Sequence, residues 1–314
     1  MTASPTRREF LRRTGLAAAG LAVAAATARV PSTVGAAPAS PTAAASPADW
    51  ADLARATDGT LLLPGDPAYA VERLPWNTIY DRLYPQAVLQ VSSVADVQRA
   101  VDFCRDTGVQ PIARSGGHSF QGFSAGSGLI IDLAALRDVQ MNPGRTRARI
   151  GAGANLLHVY DALFAQGAMA IPGGTCPTVG IAGLTQGGGI GPFTRQYGLT
   201  LDRLLGAHIV TADGRARYIS RHHDADIFWA IRGGGGGSFG VVTSFDFAPV
   251  PVGMQNVVID LTFAWRHADR VLEAFQQWVP TVPLNAHPGM TLRTSARAPG
   301  AVPGVSVSLW HRGP

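Results

Sequence analysis

The sequence predicts an α+β fold in two parts, and three observations carry that reading. Around residues 88–113 a strand pattern, a helical pattern and a second strand pattern follow one another. Asp213-Gly214 separates two apolar runs as a hairpin turn does. After Pro249-Val250-Pro251 the pattern restarts, with Val257, Ile259, Leu261, Phe263 and Trp265 alternating in the manner of a half-buried strand.

Taken in order, residues 88–91 give the first strand after Pro85. Ser93-x-x-Asp96 is a capping-box-like start for a helix with Val97, Val101 and Cys104 on one face, and Gly108 ends it. That spacing assigns Cys104 to core packing rather than redox chemistry. Residues 109–113, 129–133 and 148–150 read as strands, and 156–166 as a helix stopped by Gly167. The hairpin pairs 205–210 with 216–220; a helix at 225–232 and a strand at 241–247 close the first part, 48–250. In the second part, Val271, Leu272, Phe275, Trp278 and Val279 form a helical face, with further strands at 290–294 and 305–309. Three strands and one helix leave an open edge and an uncovered apolar face, so 251–314 is expected to be the start of an incomplete domain.

Composition narrows the chemistry. With 46% hydrophobic and 15% charged residues the chain is globular rather than disordered. All 26 basic residues are Arg; without Lys, a phosphate-loop NTPase, a pyridoxal Schiff base and an S-x-x-K acyl enzyme cannot be built. The net +5 is concentrated at the N-terminus, where five Arg and one Glu lie in the first 30 residues, so the remainder is near neutral and a nucleic-acid surface is not expected. Cys104 and Cys176 are too few for a disulfide framework or a cysteine-rich metal site. His222-His223-Asp224 precedes a helix as a polar loop and reads as solvated surface, so no metal site is assigned.

Thr6-Arg7-Arg8-Glu9-Phe10-Leu11-Arg12, followed by an Ala- and Gly-rich apolar run from Leu16 to Val30, matches a twin-arginine export signal. The run falls short of the roughly 20 strongly apolar residues of a membrane span, so no stable anchor is expected. The route carries folded proteins. Residues 31–47 read as a solvated linker, and residues 1–47 as signal plus linker.

Four glycine-rich segments invite functional readings. Gly122-Phe123-Ser124-Ala125-Gly126 fits a hydrolase nucleophile elbow, but it leads into a strand where an elbow needs a helix. Gly235-x-Gly237-x-x-Gly240 fits a dinucleotide fingerprint but sits after a helix and before a strand, the reverse order. Arg114-Ser115-Gly116-Gly117-His118-Ser119 follows a strand and combines a cation, two permissive glycines and a row of backbone N–H groups, which together can wrap a pyrophosphate. Residues 173–191 hold eight glycines in nineteen positions, so their backbone can approach a flat ligand, and Cys176 within them can serve as a nucleophile if its pKa is lowered.

These last two segments, with Tyr197-Gly198-Leu199-Thr200-Leu201-Asp202 and the run from Asp226 to Thr243, resemble the berberine-bridge-enzyme-like flavoprotein oxidases of the para-cresol methylhydroxylase-type (PCMH) FAD superfamily. The resemblance covers about residues 70–314. It implies a PCMH-type FAD-binding domain of two α/β subdomains, then an antiparallel sheet backed by helices that holds substrate. It also implies FAD attached covalently to His118 through its 8-methyl group and to Cys176 through C6. Arg114, Ser115, Gly116, Gly117 and Ser119 belong to the pyrophosphate loop; Val179, Gly180, Gly183 and Gly188 would line the flavin, and Val242 would contact the adenine end.

Leu184 departs from the plant relatives, which carry a histidine near the flavin N1–C2 carbonyl, so another donor must serve there. The resemblance implies that Val179 stands at the family's position where side-chain bulk governs access of dioxygen, and a valine there implies an oxidase rather than a dehydrogenase. The implied reaction is hydride transfer from an alcohol, hemiacetal or similar C–H donor to flavin N5, with reoxidation by dioxygen to hydrogen peroxide. The implied partners are a small-molecule substrate, dioxygen and the export machinery. The family's base is a Glu or Tyr later in the substrate domain; neither Glu72 nor Glu273 matches it, and no catalytic base is assigned before residue 314. A dehydrogenase using another acceptor and a truncated, inactive flavin-binding remnant are the alternatives.

Overall fold

The computed structural model describes residues 43–253, 255–293 and 303–312. The expected export signal and most of the linker, residues 1–42, lie outside the described residues. The first half runs α1 (Pro47–Ala56), β1 (Thr60–Leu62), α2 (Tyr69–Glu72), β2 (Ala87–Gln90), α3 (Val94–Thr107), β3 (Pro111–Arg114), β4 (Leu129–Asp132), β5 (Val139–Met141), β6 (Ala148–Gly151), α4 (Leu156–Ala165) and β7 (Met169–Ala170). The second runs α5 (Ile181–Gln186), α6 (Thr194–Tyr197), β8 (Leu204–Val210), β9 (Ala216–Ser220), α7 (Ala225–Ile231), β10 (Val241–Phe247), β11 (Val250–Pro251), β12 (Asn256–Ala264), α8 (Ala268–Trp278), β13 (Ala286–Arg293) and β14 (Gly304–Arg312).

The expected strand, helix and strand are β2, α3 and β3; β2 and β3 flank β4 in a four-stranded sheet, β1-β2-β4-β3, in which β2, β4 and β3 are parallel and β1 is antiparallel. Ser93 Oγ accepts from the Asp96 N–H at 3.2 Å and so starts α3; Gly108, left-handed at φ 73°, ends it. Val97, Val101 and Cys104 are buried as their spacing requires, and burial pushes the Cys104 thiol up to about 12. The hairpin joins a five-stranded antiparallel sheet, β5-β6-β10-β8-β9. One continuous core serves both sheets: Leu89, Leu129 and Ile131 from the first, Ile150, Ala207, Phe245 and Phe247 from the second. Asp246 is buried within the second sheet and carries two arginines, Arg149 at 3.1 Å and Arg147.

Three departures from the sequence expectation have physical causes. Pro47, assigned to the linker, is the first residue of α1: Ser46 and Asp49 form a reciprocal capping box with proline at the first helical position. Residues 181–186, read as part of a glycine loop, form the helix α5 despite Gly183. The strand expected to be half-buried, β12, is largely exposed, with Val257 49% and Ile259 42% accessible. The antiparallel sheet β12-β14-β13 meets α8 across a 570 Å³ cavity lined by Leu261, Phe263, Val271, Phe275, Trp278 and Val307, so helix and sheet are not close-packed there. Among the described residues no helix is long and apolar enough to cross a membrane.

Candidate functional site

The loop after β3 is held from beneath by its own arginine. Arg114 is 4% exposed, and its guanidinium donates to the carbonyls of Ser124 at 3.0 Å, Glu72 at 2.6 Å and Arg73 at 2.9 Å. The sequence suggested this cation as an anion partner; its donors instead face backbone oxygens and fasten the 119–127 loop and the end of α2. Ser115 Oγ donates to the Ala152 carbonyl at 2.6 Å, and Ser119 Oγ accepts from the Phe123 N–H at 3.1 Å, so both hydroxyls shape the loop. Gly117, at φ 69°, offers its carbonyl to the Trp76 N–H at 3.1 Å. Among the described residues no acceptor meets the backbone N–H groups of Gly116, Gly117 or His118.

The second glycine segment is clipped to α4. Leu156 N–H donates to Val179 O and Leu157 N–H to Pro177 O, both at 3.0 Å, and Tyr160 Oη donates to Gly174 O at 2.7 Å. Gly180 caps α5, after which Gly188 and Gly189 take positive φ and receive the N–H groups of Leu201 and Thr200. Cys176 is an exposed free thiol and Val179 is half-buried against the core.

The two segments meet backbone to backbone. A side chain on Gly116 would collide with Thr178 and Gly180, and one on Gly180 would collide with Ser115 and Gly116, so only glycine permits this approach. Directly above, His118 Nε2 lies 2.8 Å from Thr178 Oγ1, and the imidazole stacks on Trp76 at 4.9 Å and 18°. Burial holds the His118 pKa below the usual imidazole value of 6.5. The five-glycine run joins the same region, with the N–H groups of Gly233 and Gly235 donating to Gln186 O at the end of α5.

Of the residues expected to bind cofactor, Ser115, Gly116 and His118 are thus brought against Thr178 and Gly180, in the segment that also bears Cys176 and Val179; Gly183 lies in α5 and Gly188 just after it. Val242 is 3% exposed in the core of β10. Leu184 packs toward Gly173, Gly174 and Gly189, an apolar side chain with no donor. Sequence reasoning missed Thr178, Trp76 and Gln186. Thr178 stood inside the C-P-T-V-G motif and could have been found; no sequence signal marks Trp76. His222, His223 and Asp224 are exposed, with His223 Nδ1 3.2 Å from Ser220 Oγ.

The arrangement fits a flavin dinucleotide. Three successive backbone donors suit a pyrophosphate, and a side chain added at Gly183, Gly233 or Gly235 would meet nothing within 4 Å, so the backbone there is open to a ligand. Thr185 Oγ1 and Ser124 Oγ are buried without a hydrogen-bond partner. A 440 Å³ cavity bordered by Gly173, Gly174 and Thr175 of the cysteine loop also takes in Phe164, Phe193, Asn256 and Trp310.

Comparison with known proteins agrees. A family profile described as an FAD binding domain matches residues 85–220. The FAD-linked oxidoreductase YgaK of Bacillus subtilis is 36% identical over 227 residues, covering 71% of this chain and 50% of that protein. Glucooligosaccharide oxidase of Sarocladium strictum is 38% identical over 199 residues, 62% of this chain and 40% of that one. The solved structure of a berberine-bridge-enzyme-like protein from Physcomitrella patens superposes with a TM-score of 0.75 at 29% identity, over 83% of this chain and 56% of that one. The chain spans about half the length of the relatives it matches. The glycine loops, the α+β architecture and these relatives together place the chain in the berberine-bridge-enzyme-like family of FAD-linked oxidoreductases, with a PCMH-type FAD-binding fold.

Proposed function

We propose that the chain is the flavin-bearing part of an exported FAD-dependent oxidase whose cofactor is bound covalently to His118 and Cys176. When bound, the flavin would supply a hydride acceptor for the C–H of an alcohol, hemiacetal or similar donor, with dioxygen as the final acceptor giving hydrogen peroxide. The observation that carries the proposal is the backbone contact of Gly116 with Gly180, which brings the His118 loop and the Cys176 loop to one place.

Each residue has a stated task in this reading. The N–H groups of Gly116, Gly117 and His118 bind the pyrophosphate, while Arg114, Ser115 and Ser119 hold the loop that presents them. His118, kept neutral by burial, offers a nitrogen lone pair, and the exposed Cys176 thiol offers the second attachment point. Val179, Gly180, Gly183 and Gly188 line the flat face, and Leu184 keeps it apolar. Oligosaccharide oxidases among the relatives favour a sugar hemiacetal as the donor. The twin-arginine pattern at Thr6 to Arg12 supports export.

The test is anaerobic mixing of the flavin-loaded protein with a panel of mono- and oligosaccharides and simple alcohols, followed by admission of air. Bleaching of the flavin and then stoichiometric hydrogen peroxide supports the oxidase. Bleaching with slow reoxidation by air and fast reoxidation by a quinone would support a dehydrogenase. A yellow protein that no donor bleaches would contradict both.

A further inference from the structure

The contact between His118 Nε2 and Thr178 Oγ1 does more than join two loops, because it occupies one of the two ring nitrogens. A neutral imidazole carries its proton on one nitrogen and a lone pair on the other, and a hydroxyl can accept from the first or donate to the second. We propose that Thr178 is a positioning residue for flavin attachment: its hydroxyl accepts the Nε2–H of His118 and thereby fixes the tautomer in which Nδ1 holds the free lone pair. The inference rests on the covalent reading of His118 given above.

Three features of the site support this. Thr178 lies in the segment clipped to α4 by Leu156 and Leu157, and its own backbone abuts Gly116, so the hydroxyl is fixed relative to the loop bearing His118. Trp76 stacks on the imidazole and sets its plane. Burial alone shifts the His118 pKa, downward, and no charged side chain contributes, so the Thr178 hydroxyl is the polar side-chain group that meets the ring.

Attachment at Nδ1 forms one C–N bond to the 8-methyl carbon of the flavin and breaks one C–H bond of that methyl. The methyl proton, the Nε2 proton and two electrons pass finally to dioxygen, giving hydrogen peroxide and the oxidised, linked flavin. The Nε2 proton leaves through the Thr178 hydroxyl, the acceptor already in place.

The experiment compares the full chain with its Thr178→Val, Thr178→Ser and His118→Gln variants, each loaded with FAD in air, following flavin on the His118 and Cys176 peptides by mass spectrometry. Thr178→Val keeps the shape and removes the hydroxyl. It is expected to slow attachment at His118 about tenfold, the rate equivalent of one lost hydrogen bond. Total bound FAD and attachment at Cys176 stay unchanged, and Thr178→Ser restores the rate. A valine variant that attaches flavin at His118 as fast as the parent overturns the inference. A parent that carries no flavin on His118 contradicts the covalent reading instead. For that case, nitrogen-15 spectra of histidine-labelled apoprotein, assigned with His118→Gln, read the tautomer directly: a pyridine-type Nδ1 supports the inference and a protonated Nδ1 overturns it.

Discussion

Gly116 and Gly180 approach so closely that neither tolerates a Cβ, each abutting the other's backbone across two loops far apart in sequence. This contact, more than any single side chain, turns two glycine-rich segments into one site. The strand β3 delivers the first loop, the α4 clip delivers the second, and a pair of hydrogen atoms in place of methyl groups lets them touch.

Gly180→Ala therefore disrupts the site rather than trimming it. Forcing a methyl group against Ser115 and Gly116 is expected to cost about 1–3 kcal/mol of stability. FAD uptake falls with it. Thermal unfolding and flavin absorbance of the purified variant measure both effects; a variant with parental melting temperature and full flavin content would show that the loops do not depend on this contact.

The two thiols differ in reactivity. Cys104 lies buried in α3 with its thiol pushed up to about 12, whereas Cys176 is exposed. In flavin-free native protein at mild alkaline pH, iodoacetamide is expected to label Cys176 and leave Cys104 unmodified until denaturant is added. Peptide mapping reads the outcome, and early labelling of Cys104 would contradict its placement in the core.

Much of this was legible beforehand, and the misses have causes. Periodicity found α3 and the hairpin because Gly108 and Asp213-Gly214 punctuate them, with Gly108 and Gly214 at positive φ as such positions demand. Helix α5 escaped because its glycine-rich surroundings suppress helical propensity, while backbone bonds from Ile181 to Ala154 and from Leu184 to Gly180 stabilise it in context. The cap of α1 was visible as Ser46-x-x-Asp49 but was hidden by the Ala- and Pro-rich run before it. The exposure of β12 could not be read from alternation, which reports the pattern of a strand and not what lies over it. Arg114 looked like an anion partner because the sequence does not show that three carbonyls surround it.

Attachment at His118 should persist into mild acid. Its folded pKa lies below 6.5, so the imidazole stays neutral and nucleophilic to lower pH than a free one. The rate of flavin incorporation on the His118 peptide, measured against pH, is expected to fall to half at a value below 6.5; a midpoint above it would contradict the burial account.

Asp96 gives the fold an acid-sensitive element. Burial would raise its pKa, but hydrogen bonds from the N–H groups of Ser92 and Asp58, the Ser92 hydroxyl and the Ser93 segment outweigh it and hold the value below 3.8. A depressed folded pKa means that this stabilisation is fully present above 3.8 and is lost as pH falls through the lower, folded value. Replacing Asp96 by Asn is expected to lower the melting temperature at neutral pH and to flatten the acid limb of the stability curve. An unchanged acid limb would remove Asp96 from the account.

The central claim is that one site, built by the contact of two glycine loops, binds FAD through His118 and Cys176. The most direct measurement is to express residues 43–314 in the cytoplasm, denature the purified protein in acid, and map any flavin that stays with the chain. The account predicts a yellow precipitate with flavin on both the His118 and Cys176 peptides. A folded protein that releases all its flavin into the supernatant would contradict covalent attachment, and one that never binds flavin would contradict the site.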